Sequence, residues 1–251
     1  MKPYLSIILP SYNESCNIAR GVLDEVYKFL KDYERSWELI LSDDGSTDNT
    51  IAQLEEFGKK DSRIIIIKNQ HKGKGPTVKS GMLQAIGNWQ LFTDFDQSTP
   101  LREVRKLLKY TGEYDVIFGS REIVGAKREK EPFYRHIMGR GFNFIVQLLA
   151  IPGVQDSQCG FKLFSAQATT KLFTNLYIYS GKNKRQDAFT GAFDVELLYL
   201  AKKYGFNLKE VPILWKHFQT NRVSPVRDSV LMFTDILRIK MADLMHKYPK
   251  K

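Results

Sequence analysis

Only two cysteines occur in the 251 residues, Cys16 and Cys159, far apart in the chain. They cannot build a disulfide scaffold, and a reducing cytoplasm fits. No apolar run reaches the ~18–20 residues of a membrane span. The longest, Phe142 to Ile151, is too short. Met1-Lys2-Pro3-Tyr4 runs directly into a strand pattern, so no signal peptide is visible. No Gly-x-Gly-x-x-Gly follows the first strand and no Gly-Lys-Ser/Thr phosphate loop occurs, which argues against a dehydrogenase and a P-loop NTPase. His71, His136, His217 and His246 are dispersed, so no histidine metal cluster is read. Internal repeats and low-complexity tracts are missing as well. Negative charge is in short supply: 28 acidic against 38 basic residues leave a net charge of +10. That balance points to an anionic partner, whether nucleic acid, membrane surface or phosphorylated substrate.

The first half of the chain alternates strand and helix patterns. Leu5–Pro10 is a short apolar strand ended by proline, and a helix is expected from about Asn17 to Tyr33. Trp37–Leu41 is a second strand, followed by a helix around Ile51, Leu54 and Phe57. Ile64–Ile67 reads as a strand covered on both faces, and the next helix runs through Val78, Met82 and Ile86. Trp89–Thr93 is a buried strand, with Thr99 and Pro100 placed to start a helix. Such alternation predicts a parallel, doubly wound sheet with right-handed crossovers.

The second half is less regular. Val116–Phe118 is a strand, and the charged stretch from Glu122 to Glu131 reads as a mobile loop. Phe133–Ala150 reads as a helix apolar on nearly all sides, either buried or lying in a lipid interface. A polar turn from Asp156 enters a short strand at Lys162, and Tyr179–Thr190 reads as a basic loop. A helix over Ala192–Tyr204, a strand over Leu208–Leu214, a loop and a final amphipathic helix over about Asp228–His246 complete the chain.

Polar chemistry recurs at the carboxyl end of each early strand: Tyr12-Asn13-Glu14, Asp43-Asp44, Lys72/Lys74 and Asp94/Asp96. Open α/β sheets bind ligands along that edge, so four loops there make one site. Carboxylates and an aromatic ring hold a base and ribose. Lysines flanked by glycines lie against a diphosphate, because glycine lets the backbone approach. Asp94 and Asp96 turn toward one hard cation if the chain leaves strand geometry there, and oxygen ligands suit Mg²⁺ or Mn²⁺. Taken singly, Lys72-Gly73-Lys74-Gly75 reads equally as a solvated basic turn, and Asp94/Asp96 alone reads more readily as a solvated loop with two acids.

The ordered set Pro10-Ser11-Tyr12-Asn13-Glu14, Asp43-Asp44-Gly45-Ser46-Thr47-Asp48, Lys72-Gly73-Lys74-Gly75 and Asp94-Phe95-Asp96 resembles the inverting family-2 glycosyltransferases of GT-A fold. Asp156-Ser157-Gln158-Cys159-Gly160-Phe161-Lys162-Leu163-Phe164, Ala192-Phe193-Asp194-Val195-Glu196-Leu197-Leu198-Tyr199 and the tail from Trp215 to Lys240 narrow the likeness to dolichyl-phosphate β-glucosyltransferases. The resemblance covers nearly the whole chain. It implies an α/β, Rossmann-like, mostly parallel sheet flanked by helices, with C-terminal amphipathic helices. It implies one domain over residues 1–251, with 1–120 for the nucleotide sugar and 121–251 for the acceptor. Three features depart from the pattern: the N-terminal membrane anchor of eukaryotic members is not seen, Tyr179–Thr190 looks inserted, and Thr220-Asn221-Arg222 replaces a common Gly-Ser-Lys.

By that resemblance Pro10, Tyr12, Glu14 and Asp44, with Asp43 as an alternative, lie near the base and ribose of a UDP-sugar. Lys72 and Lys74 face its diphosphate. Asp94 and Asp96 hold ribose and a diphosphate-bound Mg²⁺ or Mn²⁺, and Arg121, Arg135, Arg140 and Arg222 face the phosphate of a polyprenyl phosphate. Arginine suits phosphate because its fork engages two oxygens at once. Asp96 and Asp156 are the expected catalytic residues, Asp156 orienting the acceptor or stabilising positive charge on the sugar. Asp194 and Glu196 are alternatives whose commoner role is structural.

Three other readings compete, one of them a nucleotidyltransferase, which also places metal-binding acids on a similar sheet. A glycosyltransferase acting on a glycan hydroxyl would need a general base and no membrane. A nucleic-acid module is disfavoured because acids cluster where the site would be. A lipid acceptor lies in a bilayer, so peripheral attachment to an anionic cytoplasmic membrane face is expected. Lysine and arginine would attract the surface, and shallow insertion would come from Phe142, Phe144, Ile145, Leu148 and Leu149 and from Leu231, Met232, Ile236 and Ile239. A membrane-anchored partner is the alternative route.

Overall fold

The computed structural model describes residues 2–129, 143, 146–180, 191–218 and 225–250. Seven strands form the central sheet: β1 Leu5–Ser11, β2 Trp37–Asp43, β3 Ile64–Lys68, β4 Trp89–Thr93, β5 Val116–Ser120, β7 Phe161–Ser165 and β8 Leu208–Pro212. Their order is β3-β2-β1-β4-β7-β5-β8. β1 lies parallel to β2 and β4, β2 parallel to β3, and β5 parallel to β8. β7 enters antiparallel between β4 and β5. The sheet is therefore mostly parallel, with one reversed strand carrying the Asp156–Lys162 turn to the carboxyl end of β4. β6 Lys127–Glu129 and β9 Leu214–Lys216 pair separately, in parallel.

Alternation along the strands feeds two cores, as expected when both faces of a sheet are covered. Ile8 and Ile40 join Val78 and Met82 of α4 (Lys74–Gln84), Leu172 of α6 (Ala166–Thr174), Leu197 and Leu200 of α7 (Phe193–Lys203), and Ile236 and Ile239 of α8 (Pro225–Leu244). Ile7, Leu9, Leu39 and Leu41 join Val26 and Leu30 of α2 (Val22–Lys31), Leu54 of α3 (Thr50–Gly58), and Val104 of α5 (Val104–Leu107).

Several expectations are corrected. The first helix is two, α1 (Ser15–Ala19) and α2, because Gly21 sits between them at φ +88°, a left-handed conformation that breaks the helical ladder. β3 sends Ile64 into one core and Ile67 into the other, so both faces are packed as expected, but as an edge strand it leaves Ile65 exposed. α4 stops at Gln84; Ile86 lies beyond it and is exposed. Pro100 caps a short 3₁₀ turn over Leu101–Glu103 without a side-chain bond from Thr99. The charged stretch after Glu122 contains β6, and the strand expected over Leu208–Leu214 divides at Ile213 between β8 and β9. Helix α6 is not anticipated by the sequence pattern; Ser165 caps it, its Oγ accepting from Ala168 N at 3.2 Å. Of the helix expected over Phe133–Ala150 only residues 143 and 146–150 are described, with Val146 and Ala150 in the core and Leu148 exposed; Phe142, Phe144 and Ile145 lie outside the described residues. In α8, Ile236 and Ile239 are fully buried, so they face the protein and not a lipid surface.

Candidate active site

Four loops meet at the carboxyl edge of β1–β4, and each is held by bonds its own sequence supplies. Asp43 is buried at the end of β2, where its carboxylate accepts from Ser11 Oγ at 2.9 Å, Ser46 N at 2.8 Å and Ser46 Oγ at 2.6 Å. It builds the loop. Asp44, also buried, accepts from Lys72 N and Gly73 N at 2.9 Å each and from Thr77 Oγ1 at 2.8 Å. Its Oδ2 stands 2.9 Å from His71 Nδ1. Asp44 thus pins the lysine–glycine loop to the end of β2. Tyr12 stacks on His71, with ring centroids 4.1 Å apart and planes 15° from parallel. Glu14 is buried, its backbone N–H donating to Thr50 Oγ1 at 2.7 Å and its carboxylate accepting from Asn17. Pro10 is half-buried in register with Ser42, and Lys72 is exposed. Asp48 accepts from Ser15 Oγ at 2.6 Å and Thr50 N at 2.9 Å; these bonds outweigh the effect of burial and lower its pKa to about 2.

The acidic pair sits where β4 ends. Lys74 forms an ion pair with Asp94. Burial alone would lower the lysine's pKa, but Asp94, Asp194 and Asp96 together raise it. Asp96 moves upward instead, first through burial and then through the neighbouring charge of Asp94, although Ser98 N donates to it at 2.8 Å. Gln97, at φ +55°, turns the chain so that both its N–H and its side-chain amide donate to the Asp94 carbonyl, at 3.2 and 3.0 Å. This is the departure from strand geometry that a shared ligand requires.

The β7 turn closes the other side. Asp94 N donates to Gly160 O at 3.1 Å, and a Cβ on Gly160 would stand well under 3.0 Å from the Asp94 carboxylate. Beneath lies an ion pair between the fully buried Lys162 Nζ and the buried Asp194 Oδ1 at 2.5 Å; Lys162 also donates to Cys159 O. Asp156 is gripped by Arg121 through Nε at 2.7 Å, Nη2 at 2.8 Å and the backbone N at 2.8 Å. That guanidinium overcomes the effect of burial and lowers the pKa of Asp156. Glu196 accepts from the backbone N–H groups of Tyr177, Ile178 and Tyr179 at 2.9–3.0 Å and from Tyr248 Oη at 2.8 Å, a structural role.

The structure therefore brings Tyr12, Asp44, Lys74, Asp94 and Asp96 to one edge and pairs Asp156 with Arg121. Arg135, Arg140 and Arg222 lie outside the described residues. Pattern reading missed His71 and Gly160 as parts of the site. It also missed Arg20, whose Nη2 donates to Asp96 O at 3.2 Å while its guanidinium lies 4.3 Å from the centre of the Phe218 ring. Their signal was only adjacency to motifs, or none in Arg20's case. A cleft of about 650 Å³ opens beside Asp96, lined among others by Arg20, Phe29, Gln97, Arg102, Lys216 and Phe218. Among the described residues no group of three or more His, Cys, Asp or Glu side chains is placed to hold a metal. The donor set Asp94/Asp96 nevertheless fits a hard divalent cation: it offers oxygen ligands, and its clustered negative charge is met by a lysine.

A mostly parallel sheet with acids at the end of β4 and a reversed β7 is the GT-A architecture, and this chain is a glycosyltransferase. It belongs to glycosyl transferase family 2, whose profile matches residues 6–173. It is 34% identical to the dolichyl-phosphate beta-glucosyltransferase of Dictyostelium discoideum, over 96% of this chain and 75% of that one. Against the enzyme of the same name from Saccharomyces cerevisiae it is 32% identical, over 98% and 76%. The human enzyme of that name is 30% identical, over 94% and 75%. Among solved structures, glucosyl-3-phosphoglycerate synthase from Mycobacterium tuberculosis with Mn²⁺, UDP-glucose and phosphoglyceric acid superposes with a TM-score of 0.65 at 18% identity, covering 96% of this chain and 79% of that one. The mannosyltransferase PcManGT from Pyrobaculum calidifontis with GDP-Man and Mn²⁺ gives a TM-score of 0.63 at 17% identity, covering 95% and 65%. Those structures share the fold.

Proposed function

We propose that this enzyme transfers glucose, with inversion, from UDP-glucose to the phosphate of a polyprenyl or dolichyl phosphate. The observation that carries the reading is the likeness to dolichyl-phosphate beta-glucosyltransferases across nearly the whole chain, with the acidic pair and lysine–glycine loop on one edge of the sheet. Tyr12 and His71 offer an aromatic wall for the base, and Asp44 fixes the loop that faces the diphosphate. Lys74 lies beside Asp94, placed to meet diphosphate charge. Asp94 and Asp96 would hold a divalent cation, which neutralises the charge developing on the departing nucleoside diphosphate.

The acceptor phosphate oxygen attacks the anomeric carbon. The bond from that carbon to the diphosphate oxygen breaks, and UDP leaves with the electron pair. The transition state has oxocarbenium character, as in glycoside hydrolysis. A phosphate monoester loses its second proton near pH ~6, so the nucleophile is already a dianion and needs no general base. Asp156 fits this: both its oxygens are bonded to Arg121, so it orients that guanidinium for the acceptor rather than removing a proton. Arg135, Arg140 and Arg222 are proposed to share the acceptor phosphate. A panel of nucleotide sugars offered with a short polyprenyl phosphate, read as labelled lipid product, tests the proposal. UDP-glucose should give the product; transfer only to free glycan hydroxyls would overturn it.

A further inference from the structure

Helix α8 buries one apolar face and exposes another. Asp235, Ile236, Ile239 and Ala242 are buried against the body of the protein. Val230, Phe233, Leu237, Met241 and Leu244 are 61%, 40%, 43%, 59% and 78% exposed. Their spacings of three, four, four and three residues keep them in one stripe at 3.6 residues per turn. A core-facing helix in a soluble enzyme has no use for a second apolar face, and a contiguous exposed patch of this kind marks an interaction surface.

The chemistry beside the stripe selects the partner. Arg227, Arg238 and Lys240 are exposed on this helix, and Lys247 and Lys250 follow it. Lys240 Nζ lies 5.4 Å from the centre of the Tyr199 ring, leaning its charge over the protein flank of the stripe. The helix's described acids are turned away: Asp235 is fully buried and bonded to Tyr179 and Arg238, and Asp243 is bonded to Lys203 and Tyr199. Among its described side chains, the exposed ones are thus only apolar or basic. A second copy of the chain, packed about a two-fold axis, would bring these basic flanks against themselves. A bilayer with anionic headgroups takes both, the stripe in the acyl boundary and the cations among the phosphates.

We infer that the Val230–Leu244 stripe of α8 is a docking face for an anionic lipid surface. This rests on the proposed lipid-phosphate acceptor for its purpose, and on the exposed side chains alone for its existence. The same helix packs on Tyr179, which stands 3.3 Å from where a Cβ on Gly75 of the lysine–glycine loop would be. Docking through α8 therefore holds the donor loop at a fixed place relative to the membrane.

Sedimentation with phosphatidylcholine vesicles, with and without phosphatidylserine, tests the inference on the full chain. The parent should bind the anionic vesicles and be largely released by high salt. Leu237→Glu/Met241→Glu alters only exposed side chains, so it should melt like the parent yet partition to vesicles at least ~10-fold less. Lys240→Glu should weaken binding to anionic vesicles alone. Vesicle binding by the double variant equal to the parent's would overturn the docking face. So would a parent dimer that the double variant converts to monomer. The assay reads no catalysis, so an inactive protein that still binds vesicles through α8 would sink the proposed reaction and uphold the docking face.

Discussion

Gly160 lies against the carboxylate of Asp94, and a single methyl group there would occupy the space of the carboxylate oxygens. The reversed strand β7 brings this glycine to the end of β4, its carbonyl accepting from Asp94 N–H at 3.1 Å. Gly160→Ala must therefore rotate or displace Asp94. Misplacing a reacting or charge-stabilising group by about an ångström can cost ~10²-fold in rate. The expected outcome is a fall in kcat of that order with a KM for lipid acceptor near the parent's. A variant with parental kcat would show that the close approach carries no consequence for catalysis.

Arg121 and Asp156 form a bidentate pair that is nearly closed to water, the aspartate side chain 4% and the arginine 20% exposed. Removing the arginine strands a buried carboxylate, which costs about 3–5 kcal/mol when such a pair is broken. Arg121→Ala should lose stability at the lower end of that range in urea unfolding at neutral pH. The pH dependence has a definite sign. Asp156 is depressed in the folded protein, so its contribution is present above the unfolded carboxylate value of ~3.9 and is lost as pH falls through the folded value. Asp156→Asn should flatten the acid limb of the stability profile below pH ~4. An unchanged acid limb would place the pair's energy elsewhere.

The early half of this fold was legible because its signals are local and repeated. Four apolar strands end in polar loops, and a parallel sheet sends all those ends to one edge, so Tyr12, Asp44, Lys74, Asp94 and Asp96 converge without further information. The later half depends on long-range pairing that no window of sequence contains. β6 is three charged residues whose partner β9 lies far along the chain. Gly21 resembles any helical glycine until its φ is known. α8 shows the limit most clearly: its apolar residues cover two faces, so periodicity identifies a helix but not which face meets the core. Ile236 and Ile239, which the pattern places at the membrane, are buried, while Val230, Phe233, Leu237, Met241 and Leu244 are the exposed set.

Asp96 is the acid whose removal separates metal from scaffold. It is raised by burial and by Asp94, and its described bonds are from Ser98 N to its carboxylate and from Arg20 to its carbonyl. Asp96→Ala leaves the Arg20 bond in place, so the loop is retained. Losing one dominant electrostatic stabiliser lowers kcat by ~10²–10³-fold. Asp96→Ala should fall in that range, and excess EDTA should abolish turnover of the parent, with Mn²⁺ or Mg²⁺ restoring it. Full turnover in EDTA would remove the cation from the proposed chemistry.

Lys162 and Asp194 carry the last prediction, since a fully buried lysine is costly unless paired. Its Nζ meets Asp194 at 2.5 Å beneath the Phe92 ring and has a second acceptor in Cys159 O. Replacing only one partner leaves the other charged in an apolar core, whereas replacing both with apolar residues of similar volume is often neutral. Lys162→Met alone should destabilise by about 3–5 kcal/mol. Lys162→Met/Asp194→Leu should recover most of that loss. Asp194 also adds to the field that keeps Lys74 charged, so the double variant should be stable yet weaker for the nucleotide sugar. Urea unfolding and donor KM measured on the same three proteins separate the two effects. A stable double variant with parental donor KM would confine the pair to folding. A double variant as unstable as Lys162→Met would show that the pair is more than a balance of two charges.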